Sequence, residues 1–599
     1  MDLGSDLFPD LRPPEVIGAV HGLSHAGDLE RGAVYTRPDI VTAILDLVGY
    51  VPTRPLHEQR ILEPSFGAGD FLLPMIERLL AAFSAAGGQR RDALRLGPCI
   101  RAVEVHAATF DRTREQSLEA LVRQGISAAH AGQLLDQWLV RDDFLLAVLP
   151  AGFHYVVGNP PYVRQERIPS PLLAEYRRRY QTIYDRADLY VPFFERGLSL
   201  LAAGGRLGFI CANRWLKNRY GRPLREFASR SYRLRYFMNL EGVAAFHSDV
   251  IAYPAITIFE RATPGPTRVA VCDALLPGSM ARVVSALQAH AVEDSGPVHE
   301  FARGPANGEP WLLDQPRQLA VLRKLESAFP DIESAGCKVG IGVATGADKV
   351  FIGRHADLPV EDGRKLPLAM AGDLRGGCVD WQGYGVINPF EEDGTLADLD
   401  CYPRFARYLL EHRPAIASRH CARRSDHGWY RTIDRITPSL RGRPKLLIPD
   451  IKGKPTVAID EGRFYPHHNL YYVVSDSWDL AALATVLRSS FATLFVASYC
   501  VRMNGGFLRF QAQYLRKIRL PAWHDLTATQ KAALLDASQS EDPGDIDRAV
   551  APIYRVTASD LREVQAITRQ PCAGSPTSSW RWRAMVDCRR NPSWSEKAA

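Results

Sequence analysis

Val156-Val157-Gly158-Asn159-Pro160-Pro161-Tyr162 decides how the rest of the chain is read. Two β-branched residues make a short buried strand, and Gly158 lets the backbone leave it. Two prolines in succession fix φ and remove two N–H donors, so Asn159, Pro160 and Tyr162 sit in a stiff loop. A rigid loop at the carboxyl end of a strand is where open α/β sheets place their ligands. The Asn159 amide oxygen and the Pro160 carbonyl can both accept from one NH2 group, and Tyr162 offers a ring face. The set suits an exocyclic amine on a flat ring. A strand end with a plain polyproline turn has the same letters, so the neighbouring segments must decide.

Upstream, Gly32-Ala33-Val34-Tyr35-Thr36-Arg37-Pro38-Asp39 leads into Ile40–Val48. Thr36 reads as a helix N-cap with Pro38 in the first turn, and Ile40, Ile44, Leu45 and Val48 share a face. Arg60–Leu73 then reads as strand, glycine turn and helix, with Glu63, Ser65, Gly67, Gly69 and Asp70 at the turn. Glycines let backbone approach a ligand, but the third glycine of a dinucleotide fingerprint and the lysine of a phosphate loop are missing. Acidic Glu63 and Asp70 disfavour phosphate and favour a cation or an amine. Cys99–Val105 is a second strand carrying Glu104, placed where an acid commonly takes ribose hydroxyls. A helical stretch from His106 to about Trp138 precedes a third strand end with Asp143 and Phe144. Further strands are read within Ala203–Cys211, at Tyr236–Leu240 and, as the last, Ile256–Glu260. Such alternation means a largely parallel sheet covered by helices on both faces.

The 599 residues suit several domains, with ordinary hydrophobic content of 46%. No run is long enough for a membrane helix, and Met1-Asp2-Leu3-Gly4-Ser5-Asp6 is no secretory signal. Ten scattered cysteines without a C-x-x-C pair fit reduced thiols in a cytoplasm and no structural zinc site. Between Cys401 and Asp450, eleven Arg and Lys face four Asp and Glu, and aromatics lie among them. That composition fits a phosphate-backbone partner, and equally a solvated Arg-rich surface.

Taken together and in this order, the segments resemble the S-adenosylmethionine-dependent adenine-N6 DNA methyltransferases of the gamma class, whose target-recognition domain is C-terminal. The resemblance is carried by Tyr35-Thr36-x-Pro38, Glu63-Pro64-x-x-Gly67-x-Gly69 and Asn159-Pro160-Pro161-Tyr162. It spans roughly residues 31–262, and more weakly extends to about 525. It implies a Rossmann-like α/β sheet with helices on both faces, followed by a C-terminal α+β target-recognition domain. It also implies S-adenosylmethionine as cofactor and double-stranded DNA as partner. Thr36 would hold the cofactor carboxylate, and Glu63, Ser65, Gly67 and Gly69 its methionine part. Glu104 would take the ribose, and Asp143 with Phe144 the adenine. Asn159, Pro160 and Tyr162 would hold the target base, with Phe246 as a second aromatic against it. Ser65-Phe66 stands where the family often has small residues. No metal is implied.

The expected organisation is an arm over 1–30, a catalytic domain over 31–262, a linker over 263–330, a target-recognition domain over 331–545 and a tail over 546–599. Val339–Ile352 reads as a strand and glycine-rich turn with no switch to helix. His467 and His468 are sequence neighbours, not at metal spacing, and read as loop or strand-edge residues. A monomer is expected, with a separate cognate restriction endonuclease as a further partner the resemblance allows. Rival readings are a fused restriction nuclease, an N-methyltransferase acting on protein, RNA or a small molecule, and a non-enzymatic DNA-binding specificity subunit. The nuclease reading leans on Pro449-Asp450 with Glu461-x-Arg463, where arginine replaces the expected lysine.

Overall fold

The strand before Asn159 is Phe153–Gly158 (β4), and all but one of its residues are buried. In the computed structural model it lies inside a nine-stranded sheet. The structure describes residues 12–569, except 28–31, 33, 242, 244, 247–252, 273–277, 294–295, 424–427, 453–454 and 501–506. The chain forms two compact units, Met1–Pro316 and Arg317–Ala599.

The first unit's strands are Ile61–Glu63 (β1), Ile100–Val103 (β2), Leu139–Val140 (β3), β4, Leu201–Ala212 (β5), Arg233–Asn239 (β6), Pro254–Glu260 (β7), Thr267–Val271 (β8) and Val298–Phe301 (β9). Their order is β3-β2-β1-β4-β5-β7-β6-β8-β9. The first five are mutually parallel, and β7 runs against both β5 and β6. The order reverses between β1 and β4, which opens a crevice beyond their carboxyl ends. Two apolar cores flank the sheet, one holding Ile44, Phe71, Leu79 and Trp138, the other Phe194, Trp215, Leu224 and Phe237. Helices thus cover both faces, as parallel strands buried on each side require.

Several expectations change. Residues 1–30 contain a helix, Pro14–Leu23, that buries Val16 and packs on the helix Ser170–Arg179. Arg12 grips Asp142 through two hydrogen bonds, of 2.8 and 2.6 Å. Residues 263–330 are not a linker. β8 and β9 extend the sheet, and the helix Ser279–Gln288 packs on Pro38–Val48. Pro264, Gly265 and Pro266 are the turn between β7 and β8, not a domain edge. The helical stretch after His106 is two helices, Ala107–Arg123 and Ala128–Trp138, parted at Gly125, where φ is +86°. Thr36 does not cap its helix. Arg37 holds that position, with Pro38 at the first turn.

The second unit carries all but the first residue of the helix Pro316–Ala328 and holds a six-stranded and a four-stranded sheet. A short helix, Asp348–Phe351, does follow the glycine turn after Cys337–Ile341. The apolar segment 480–499 is two helices, Leu480–Arg488 and Ser490–Tyr499, bent by 59° where the Ser489 hydroxyl caps the second. The expected tail from 546 is partly core: Pro543–Tyr554 and Ala558–Arg569 bury Val550, Tyr554 and Val564. Residues 570–599 lie outside the described residues. No single helix among those described is long and apolar enough to cross a membrane, and no disulfide joins any two of the eight described cysteines.

Candidate active site

The loops after β1, β2, β3 and β4 line one cleft of about 1100 Å3, mouth included. Among the described residues, five carboxylates line it, those of Glu63, Asp70, Glu104, Asp142 and Asp143, with one arginine, Arg167. Arg12 answers Asp142, and Glu63 holds its proton above the usual range, so the balance of the remaining acids favours a positively charged ligand.

The glycine turn after β1 needs its glycines for backbone reasons. Gly67 and Gly69 have φ of +49° and +88°, a region that costs other residues about 1–2 kcal/mol. At Gly67 a Cβ would meet nothing within 4 Å, so the turn presents bare backbone to the cleft. The Gly67 N–H donates to Glu104 Oε2 at 3.0 Å, and the His106 N–H donates to Glu104 Oε1 at 2.8 Å. These bonds fix the Glu104 carboxylate at the end of β2.

Glu63 is 1% exposed, and its Oε2 has no hydrogen-bond partner. Burial, then the negative charges of Asp70 and Glu104, hold its carboxyl well above the usual range. An ionised Glu63 therefore needs a cation beside it. Asp143 is also pushed up by burial, against the opposing pull of its hydrogen bonds. The Tyr176 hydroxyl donates to its Oδ2, and the Leu145 N–H donates to its Oδ1 at 2.7 Å. Phe144 is buried beside it, 4.9 Å from Phe193 and under the Arg196 guanidinium. Nothing in the arginine-rich sequence around Tyr176 marks it; only the packing of its helix brings it to Asp143.

Asn159 is held from the far side of the cleft. Its Nδ2 donates to the Val34 carbonyl at 2.9 Å and to Thr36 Oγ1 at 3.1 Å. Both amide hydrogens are thereby used, and Oδ1 is buried with no partner. The Thr36 N–H donates to Asp70 Oδ2 at 2.7 Å, tying the segment before the first long helix to the glycine turn. The Ser65 hydroxyl donates to the Asn159 backbone carbonyl at 3.1 Å, so Ser65 bridges the two loops. Thr36, Glu63, Ser65, Gly67, Glu104, Asp143, Phe144 and Asn159 all line the cleft. Gly69, Pro160 and Tyr162 are not among its lining residues, though Pro161 is. The Tyr162 ring meets Phe246 edge-on, with centroids 5.8 Å apart at 77°, and its hydroxyl is buried without a partner.

Comparison with known proteins decides the family. The chain is 54% identical over 541 residues to the Type II methyltransferase M.PaeR7I of Pseudomonas aeruginosa, covering 90% of this chain and 94% of that protein. The chain belongs to the Type II DNA methyltransferases. Another relative of this methyltransferase, M.XhoI of Xanthomonas vasicola, is 51% identical, covering 89% of this chain and 98% of its own. Residues 94–246 match the Eco57I restriction-modification methylase family, and residues 407–520 match the TaqI-like C-terminal specificity domain. The methyltransferase also shares its fold with the Type IIL restriction-modification enzyme MmeI, solved in complex with DNA. That likeness has a TM-score of 0.56 at 12% identity and covers 89% of this chain and 77% of the other. The protein is thus a site-specific DNA methyltransferase of the restriction-modification group, with a C-terminal specificity domain.

Within the specificity domain the Arg-rich stretch divides by role. Arg419 donates to the carbonyls of Thr345, Ile416 and Arg431 and is structural. Arg443 pairs with Asp476. Arg404 and Arg407 are exposed on the helix Pro403–Glu411. Asp450, the acid of the rival nuclease reading, is paired with Arg509.

Proposed function

We propose that this methyltransferase moves the methyl group of S-adenosylmethionine to the N6 amine of an adenine drawn out of duplex DNA. The observation that carries the reading is Asn159: its NH2 is fully engaged by Val34 and Thr36, which leaves Oδ1 as a bare buried acceptor. A lone acceptor in such a place is costly unless a ligand donor meets it. An amino group on a planar base supplies that donor.

The cleft fits the cofactor on the same kind of evidence. The unpartnered Glu63 oxygen and the surplus of carboxylates favour a ligand bearing an ammonium and a sulfonium. Glu104 would take ribose hydroxyls, Asp143 and Phe144 the adenine, and the Thr36 hydroxyl the carboxylate. Gly67 and Gly69 would let the methionine part lie against backbone. Bound there, the cofactor supplies an electrophilic methyl on a positively charged sulfur.

The protein's own part is to orient and to accept. Asn159 Oδ1 and the Pro160 carbonyl take the two hydrogens of the target amine, which favours the pyramidal nitrogen and stabilises the positive charge it develops. Positioning of the base relative to the methyl supplies most of the remainder. The base leaves the duplex at a cost of a few kcal/mol, and stacking on Tyr162 offsets part of it. Tyr162 and Phe246 meet edge-on, so one ring must turn before a base enters between them. The reading also keeps the protein as a cytoplasmic monomer, serving beside a separate cognate endonuclease.

The test is transfer of labelled methyl to a duplex library followed by digestion to nucleosides. Label migrating with N6-methyl-2′-deoxyadenosine is expected. Label on cytosine, or in protein or RNA, overturns the assignment.

A further inference from the structure

His467 is 5% exposed, yet neither of its ring nitrogens has a hydrogen-bond partner. A buried imidazole with two orphaned nitrogens is costly unless something binds them. The His468 ring centroid lies 4.0 Å from that of His467. Asp348, far off in sequence, brings Oδ2 to 3.6 Å from His467 Nε2, too long for a hydrogen bond. One nitrogen from each histidine and one Asp348 oxygen lie within 4.8 Å of one another. Thr345 Oγ1 donates to Asp348 Oδ1 at 2.5 Å, which orients that carboxylate as second partners do around metal ligands. The backbone is braced as well: the His467 N–H donates to the Ala369 carbonyl and the His468 N–H to the Val343 carbonyl, each at 3.0 Å.

We propose that Asp348, His467 and His468 bind one divalent transition-metal ion of the zinc, cobalt or nickel class. Two imidazoles and a carboxylate are the donor set these ions favour, whereas magnesium and calcium prefer all-oxygen shells. A tetrahedral shell at about 2.1 Å spaces its donors about 3.4 Å apart. Asp348 and His468 are exposed and can turn by the small amount needed, while buried His467 is the fixed point. Their exposure leaves further coordination positions open to water. The ion joins the turn after Cys337–Ile341 to the turn before Leu470–Ser475, so it staples two loops of the specificity domain. The site is independent of the methyl-transfer cleft.

The experiment uses untagged full-length protein, stripped with chelator and titrated with Co2+ and, separately, Zn2+ by calorimetry and visible absorption. One ion per chain is expected, at micromolar affinity or tighter, with a cobalt spectrum lacking the thiolate charge-transfer band of cysteine ligation. Asp348→Asn and His468→Gln, both at exposed positions, each weaken binding at least tenfold, and His467→Ala abolishes it. Zinc raises the Tm of the parent protein and not that of Asp348→Asn. If His467→Ala does not fold by circular dichroism, the two exposed variants decide. No saturable binding, or equal affinity in parent and variants, or a thiolate spectrum pointing to exposed Cys378 or Cys401, overturns the proposal.

Discussion

Replacing Asn159 with alanine removes a buried cleft acceptor whose side chain is anchored by two hydrogen bonds from its own NH2. The loss divides into two parts. Deleting an acceptor aimed at developing charge costs about 10²–10³ in kcat. Deleting the anchoring NH2 leaves the Val34 carbonyl and Thr36 hydroxyl short of a donor, which costs about 1–3 kcal/mol of stability. Thr36→Val separates these parts. It removes one of the two anchors at 3.1 Å and spares both the acceptor and the Val34 bond at 2.9 Å. One neutral hydrogen bond is worth about 1 kcal/mol, or about fivefold in rate if all of it is felt in the transition state. Single-turnover transfer of labelled methyl to duplex DNA, at saturating cofactor, measures both. Cofactor Kd by calorimetry controls for binding, which Asn159→Ala should leave within about threefold, since the carboxylates of the cleft are untouched. Transfer by Asn159→Ala within fivefold of the parent would falsify the reasoning. So would a lost activity traced wholly to lost cofactor binding.

Glu63 gives a pH prediction. Its folded carboxyl holds a proton well above the usual carboxylate range of about 4.3. Between those two pH values the folded chain carries the extra proton, so stability without ligand falls as pH rises through that window. Glu63→Gln should flatten this slope and raise Tm at neutral pH. Cofactor binding to the parent should release a proton, seen as a buffer-dependent calorimetric enthalpy, and Glu63→Gln should not release it; an unchanged release clears Glu63. Tyr176→Phe takes a donor from Asp143, a bond to a charged group worth about 1.5–3 kcal/mol; KM for the cofactor should rise about tenfold or more with kcat unchanged, and a fall in kcat alone would contradict this. Asp460→Ala strands fully buried Lys445, whose ammonium lies 2.8 Å from that carboxylate, and denaturant unfolding should show a loss of about 3–5 kcal/mol. Arg404→Ala and Arg407→Ala should each lower the salt slope of DNA binding by about 1, whereas Arg419→Ala should lower Tm and leave the slope alone; the reverse pattern would exchange their roles.

The sequence made some of this legible. A β-branched pair followed by Gly158 and two prolines has few local solutions, so the strand and its stiff loop could be read directly. The positive-φ turn at Gly67 and Gly69 was marked by the glycines themselves. Residues joined only by the fold were not marked. Val34 acts through its carbonyl, which any residue possesses. Tyr176 sits in a helix whose letters are mostly surface arginine. Residues 263–330 look like a linker because turn residues such as Pro264, Gly265 and Pro266 read the same between two strands as between two domains. Helix Pro14–Leu23 and helix Pro543–Tyr554 both open on proline, which punctuates a chain whether it begins a helix or a loop. Thr36 has the side chain of a cap, yet its hydroxyl accepts from Asn159, across the cleft and far along the chain.

The tie from Val34 and Thr36 to Asn159 has a consequence for how an inactive enzyme could arise. Those two residues belong to no strand of the nine-stranded sheet. Translation from a later start, or a protease nick after Thr36, would spare every strand and still free the asparagine amide to spin. Such a fragment keeps every residue of the specificity domain, 407–520. It would shield recognition sites without marking them, and so compete with the intact enzyme that protects the host genome.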